Sequence, residues 1–221
     1  MTIDKDDLLN SILASISRID YVKSTDIPNI DLYMDQVTSF MEKELKSTKR
    51  YEEDKILTKT MINNYAKNDL LPPPVKKKYS KEHLMVLTFI YYFKSLLSIS
   101  DIEKLLAPIT EKYFHAERDI DIARIYDEVC ESDKKRTHIL QEDIKLAFES
   151  SKETFAYATE DDKELLQFFS FICMLSLDVY VKKLIIEKLI DTMMDKKEPD
   201  KKEMKDKKYG CRKFCTTFIY Y

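Results

Sequence analysis

The sequence predicts a mainly helical protein. Three observations carry that reading. Apolar residues recur at three- and four-residue spacing through most of the chain, between stretches of charge. One glycine and six prolines leave little of the turn chemistry that β-hairpins need. Hydrophobic residues are 44% of the 221, enough for a sizeable core in one or two small domains.

Taken in order, Leu8, Leu9, Ile12 and Ile16 predict a short helix over about Asp4 to Arg18, followed by a loop with Ser24, Thr25 and Pro28. A second helix is expected from about Asp31 to Leu45, with Leu32, Val37, Phe40, Met41 and Leu45 as its buried stripe. Ser47 to Lys55 reads as a polar loop. Thr58 is a good N-cap for a third helix, in which Met61, Ile62 and Tyr65 recur. Asn68 and Asp69 can adopt the left-handed turn that closes it. Pro72, Pro73 and Pro74 forbid continuation. A small two-stranded wing is expected near Pro73 to Tyr79, with Tyr79 anchoring it in the core.

Ser80 caps a strongly apolar helix, Lys81 to Leu97, whose Tyr91, Tyr92 and Phe93 read as core rather than as a base-stacking platform. Ser100, with Glu103 at the capping-box position, caps the next helix, and Pro108 punctuates its end. Beyond it, Ile120, Ile122, Ile125, Tyr126 and Val129 make one apolar stripe. Ile139, Ile144, Leu146, Ala147 and Phe148 make another, and Glu131 to Arg136 reads as a charged turn between them.

A long helix is expected from Asp161 to about Met194. A membrane span needs about 20 apolar residues; here Gln167 and Ser170 interrupt the run and Asp178 ends it. A central core helix and a dimerisation helix remain as readings, and no membrane partner is expected. Asp195 to Lys208 is a charged run, and the chain ends on GCRKFCTTFIYY. These features divide the chain into an N-terminal helix (1–24), a central domain of short helices around a proline-rich turn (25–110), a helical domain (111–195) and a charged linker with an irregular tail (196–221).

Catalytic and metal signatures are absent from this pattern. His83, His115 and His138 have no metal-ligand spacing, and Cys211 and Cys215 lack a second ligand pair. One glycine cannot build a phosphate-binding loop. Glu160, Asp161 and Asp162 crowd a helix start, where the dipole favours them. The expectation is a non-enzymatic protein with no cofactor and no metal. Met1 to Asp7 is acidic and no long apolar segment follows, so no signal peptide is expected. Four scattered cysteines form no disulfide framework, which points to reduced thiols in a cytoplasm.

Charge supplies the positive signal. The whole chain is −3, yet Thr58 to Lys81 holds Lys59, Lys67, Lys76, Lys77, Lys78 and Lys81 against Asp69 alone, a local +5. A basic patch on an acidic chain suggests a polyanion as partner.

The run Ile62, Tyr65, Leu70, Leu71, Pro72 to Pro74, Tyr79, Leu84, Leu87, Phe89, Ile90, Ser98 and Ile102 resembles the winged helix-turn-helix of MerR-type regulators. With IDLYMDQV at Ile30 to Val37, it more closely resembles an uncharacterised bacterial family, domain of unknown function 1836, over about Ile30 to Pro108. The resemblance implies a transcriptional regulator that binds double-stranded DNA and pairs as a homodimer through the 161–194 helix. This chain departs from the MerR pattern at Asn63, Asn64 and Tyr65, where Arg-Tyr-Tyr is usual, at Asp69 in place of glycine, and by lysine in the wing. The connection after Leu45 is also longer than the usual three or four residues.

Thr58 to Leu70 is then expected in the major groove. Asn63 and Asn64 are the candidates for base contact, since asparagine pairs bidentately with adenine. Lys59, Thr60 and Lys67 are expected to face the backbone, and Lys76, Lys77 and Lys78 to bind phosphates from the wing. The competing reading is a protein-interaction module that keeps the fold without reading DNA.

Overall fold

The computed structural model of the protein describes residues 5–16, 22–116 and 118–195. The whole 196–221 segment, with its expected charged linker and irregular tail, therefore lies outside the described residues. Within them are seven α-helices: α1 (Lys5–Ile16), α2 (Met34–Leu45), α3 (Lys59–Lys67), α4 (Lys81–Phe93), α5 (Ile99–Tyr113), α6 (Ile122–Lys152) and α7 (Glu160–Asp195). Two short antiparallel strands, β1 (Leu32–Tyr33) and β2 (Lys78–Tyr79), form the sheet. The chain is mainly helical, as its periodicity predicts.

The main core is built around α4. His83 to Thr88 are all buried, as is Ile90. A helix buried on successive residues has no solvent face, so it needs cover on every side. That cover comes from α2 through Val37, Met41 and Leu45, from Tyr79 of β2, and from Ile122 and Tyr126 of α6. The Tyr126 hydroxyl donates to the carbonyl of Val22, 2.5 Å away and buried, which closes this unit on itself.

Several boundaries differ from the expectation. The central helix stops at Phe93, and the backbone turns through Lys94 to Leu97. Ser98, not Ser100, caps α5: its hydroxyl accepts from the Asp101 N–H at 3.1 Å and donates to the Asp101 carboxylate at 2.6 Å. Each of the two serines has a carboxylate three residues on, Asp101 and Glu103, so the local pattern alone does not separate them. Pro108 lies inside α5 rather than at its end. The wing's strand β2 pairs with the segment before α2, and Val75 joins Lys78 by an isolated bridge.

The charged segment Glu131 to Arg136 is no turn. α6 runs straight through it, fully exposed there. Glu, Lys and Arg are good helix formers, and Glu131 pairs with Lys135 at i,i+4 spacing. The apolar stripe fades here although the helix continues, with residues 131–136 exposed.

α6 and α7 form a long antiparallel pair that joins two cores. Near one end Ile122, Tyr126 and Ile190 belong to the main core. Near the other, Phe148 and Phe171 pack with Leu9 and Leu13 of α1 into a second, smaller core. The Gln141 amide donates to the Leu13 carbonyl at 3.0 Å and fastens α1 there. The reading of Asp161–Met194 as a central core helix does not hold: Phe171 and Ile190 are its buried apolar residues, whereas Leu165 is 71% and Phe169 59% exposed. No helix among the described residues is long and apolar enough to cross a membrane.

One core residue links the wing to α4. His83 stands at the third position of α4, and its Nδ1 accepts from the Ser80 N–H at 3.0 Å. The proton is therefore on Nε2, which is buried near the backbone of Pro73 and Pro72 without a hydrogen bond of normal geometry. The ring meets Tyr79 and Phe114 edge-on, at 5.4 and 4.7 Å between centroids. Burial holds its pKa down, from 6.5 to about 4. The unfolded chain thus accepts a proton at a pH where the folded one refuses it, so stability is full above pH 6.5 and falls as pH drops toward 4. Between pH 7.5 and 5 the loss should be about 2 kcal/mol. Urea unfolding should show it, and His83→Gln, which keeps a capping residue at this position, should remove most of that pH dependence.

Candidate functional site

Thr58 starts α3 as expected: its hydroxyl accepts from the Met61 N–H at 3.2 Å. The helix is amphipathic. Ile62 and Tyr65 are buried, and Met61 and Ala66 are half-buried. Lys59, Thr60, Asn63, Asn64 and Lys67 are all exposed on the opposite side. The helix ends where Asp69 takes a left-handed conformation, φ 56°, and the Tyr65 carbonyl accepts from the N–H groups of Leu70 and Leu71. Leu70 and Leu71 are buried, which draws the proline run onto the core.

The basic turn has an unusual backbone. Val75 and Lys78 exchange N–H to C=O bonds of 3.1 and 2.9 Å around a two-residue turn. Lys76 and Lys77 at its centre have φ 50° and 63°. Such turns match the twist of a hairpin, but they favour Asn-Gly because a Cβ is crowded in that region. Two exposed lysines are held there instead. Strain of this kind persists only where the surrounding structure over-determines it, and here the buried Leu32–Tyr79 pair below supplies that constraint.

Both parts of the site meet at the start of α2. Lys59, in the first turn of α3, pairs with Asp35 in the first turn of α2. Lys78 lies opposite Tyr33 in the sheet, with its ammonium 5.1 Å from the Tyr33 ring centroid. The six lysines of the local count are therefore not equivalent. Lys59 is partly neutralised, Lys78 is half-buried against a ring, Lys81 is half-buried at the start of α4, and Lys67, Lys76 and Lys77 are exposed. Sequence reasoning missed Tyr33 and Asp35. Their signal is the short alternation of buried Leu32 and exposed Tyr33, too brief to be read as a strand.

Holding α3 beside the start of α2 takes the long connection of residues 46–58. It is not loose. Ile56 and Leu57 are buried, the Lys94 ammonium donates to the Ile56 carbonyl at 2.6 Å, and Thr48 bonds Tyr91 through their hydroxyls at 2.5 Å. Tyr91 and Phe93 are packed on the main core. Beside the wing, Glu82 is clamped by His115, whose backbone N–H and Nδ1 both reach its carboxylate, at 3.0 and 2.5 Å. No group of three His, Cys, Asp or Glu side chains among the described residues could hold a metal ion.

Residues 22–129 match the family described as Domain of unknown function (DUF1836). The match covers just under half of the chain. Comparison with curated proteins and with solved structures finds no match. The matched residues carry most of the main core, to which α7 adds Ile190. The match begins at Val22 and ends three residues after Tyr126, the two residues joined by the buried hydrogen bond. It takes in the whole candidate site and the first turns of α6, and leaves out α1 and α7.

The strained turn can be tested by itself. Replacing Lys76 and Lys77 by Asn and Gly should stabilise the fold by about 1 kcal/mol, because this pair takes the turn without the Cβ penalty. Thermal unfolding followed by circular dichroism should rise by a few degrees. An unchanged or lowered midpoint would show that the turn stores no strain.

Proposed function

We propose that this chain is a sequence-specific, double-stranded DNA-binding transcriptional regulator of MerR-like winged helix-turn-helix type. It acts in the cytoplasm without catalysis or cofactor. One observation carries the reading: Lys59, Thr60, Asn63, Asn64 and Lys67 share the exposed face of a helix whose other face is buried through Ile62 and Tyr65. A B-DNA major groove admits such a helix, and amides at mid-helix can pair with adenine there. Lys76 and Lys77, at the tip of the turn, meet phosphates, which position the protein without reading sequence.

Fluorescence titration of duplex fragments across a salt series tests this. Lys76→Ala with Lys77→Ala should weaken binding to all duplexes alike and lower the salt slope by roughly 0.9 per lost phosphate contact. Asn63→Ala or Asn64→Ala should cost about 1–3 kcal/mol on the preferred site and little on random DNA. Absence of binding at about 50 mM salt, where phosphate contacts are strongest, would leave the second reading in place.

That second reading is a helical protein-interaction module. The observation that favours it is the apolar surface along α7, where Leu165, Phe169, Ile172 and Val179 are exposed at spacings compatible with a helical seam. Within the proposed function the same surface serves pairing of two copies through α7. Sedimentation should then show a dimer at micromolar concentration, and Phe169→Glu with Ile172→Glu should give a folded monomer.

A further inference from the structure

The two faces of the small sheet differ. Leu32 and Tyr79 are directly paired, and both are buried. Tyr33 and Lys78 are the other pair, and Val75 bridges to Lys78 from the far side. Directly opposed residues of antiparallel strands present their side chains on one face. Val75, Lys78 and Tyr33 therefore form a single outward row, apolar, cationic, aromatic. Val75 is 61% and Tyr33 55% exposed, although Tyr33 follows the buried Leu32.

Tyr33 is exposed and belongs to neither core cluster. Its backbone N–H donates to the Gln36 side chain at 2.9 Å, which any residue could do. The ring instead holds the Lys78 ammonium in place. A cation fixed over an aromatic face loses less freedom on binding than a lysine in solvent.

We propose that this row is a second contact surface of the same site, seated on the sugar-phosphate edge of duplex DNA. Tyr33 and Val75 pack on successive deoxyriboses, and the Lys78 ammonium takes the phosphate between them. The inference rests on the DNA-binding reading above. Charge chooses the partner: Lys76 and Lys77 adjoin the row at the turn tip, so a polyanion is favoured there. The row itself spans two strand spacings, about 10 Å, which is the scale of a few nucleotides and far below a stable protein interface.

The test uses the full chain and a duplex fragment titrated by fluorescence anisotropy over a salt series. Tyr33→Ala should lower affinity about tenfold at every salt concentration, leaving the salt slope as in the wild type. Tyr33→Phe should bind as the wild type does. Lys78→Met should lower the slope by roughly 0.9. Val75→Ala, at an exposed turn position that the fold does not depend on, should lower affinity about threefold with the slope unchanged; it keeps the proposal testable if Tyr33→Ala does not fold. Wild-type affinity in both Tyr33→Ala and Val75→Ala would overturn the proposal. So would a slope in Tyr33→Ala reduced as far as in Lys78→Met, since the ring would then act only by holding the lysine. A wild-type chain that binds no duplex overturns the DNA-binding reading itself, and this inference with it.

Discussion

The structure depends on the burial of α4. Six successive residues, His83 to Thr88, have no access to solvent, so the helix is enclosed rather than packed on one side. Two of them are polar, and each is bonded close by, although the buried His83 Nε2 has no such partner. The Thr88 hydroxyl donates to the Leu84 carbonyl at 2.9 Å, and His83 Nδ1 accepts from Ser80. Buried polar groups without partners are costly, so these local bonds lower the cost of the enclosure. Enclosure then dictates the rest. α2, β2 and α6 must close around one helix, and the Tyr126–Val22 bond marks where the wrapping chain meets itself.

The candidate site is a product of that wrapping. Nine residues of helix are too few to persist alone in water, so α3 exists because Ile62 and Tyr65 enter the core. Those two side chains also fix its rotation, and with it the five polar residues that face outward. The turn that carries Lys76 and Lys77 is held in the same way. Its backbone is unfavourable for lysine, yet Leu32 and Tyr79 beneath it and the His83 ring beside it leave little alternative. A site whose exposed groups are set by buried neighbours is rigid where it needs to be.

The α6–α7 pair answers a different constraint. Each helix is far longer than the main core is wide, about 45–55 Å at 1.5 Å per residue. The pair therefore reaches a second core, closed by α1. Between the two cores the helices are covered on one side only, which leaves the charged stretch of α6 and much of the apolar surface of α7 in solvent. The DUF1836 match stops near the start of this arm, in keeping with two structural units that meet on one pair of helices.

Most of the helices were legible in the sequence, because each depends on signals a few residues apart. Thr58 and Ser80 stand before their helices, Asp69 closes one, and the periodic apolar positions Val37, Met41, Ile62 and Leu87 are buried as their spacing requires. The exposed polar face of α3 followed from the same periodicity. Errors arose where local pattern is degenerate. Ser98 and Ser100 compete for one cap, and a charged run without an apolar stripe looks alike whether it is a loop or an exposed stretch of helix. Only the tertiary structure decided which lysines are engaged. Asp35 and Tyr33 are 24 and 45 residues from Lys59 and Lys78, and no local rule links them. It also decided that α7 is a half-covered arm rather than a core helix, because burial depends on what other segments bring to a surface. Helical order in this protein is written locally, whereas partnership and exposure are settled by contacts distant in sequence.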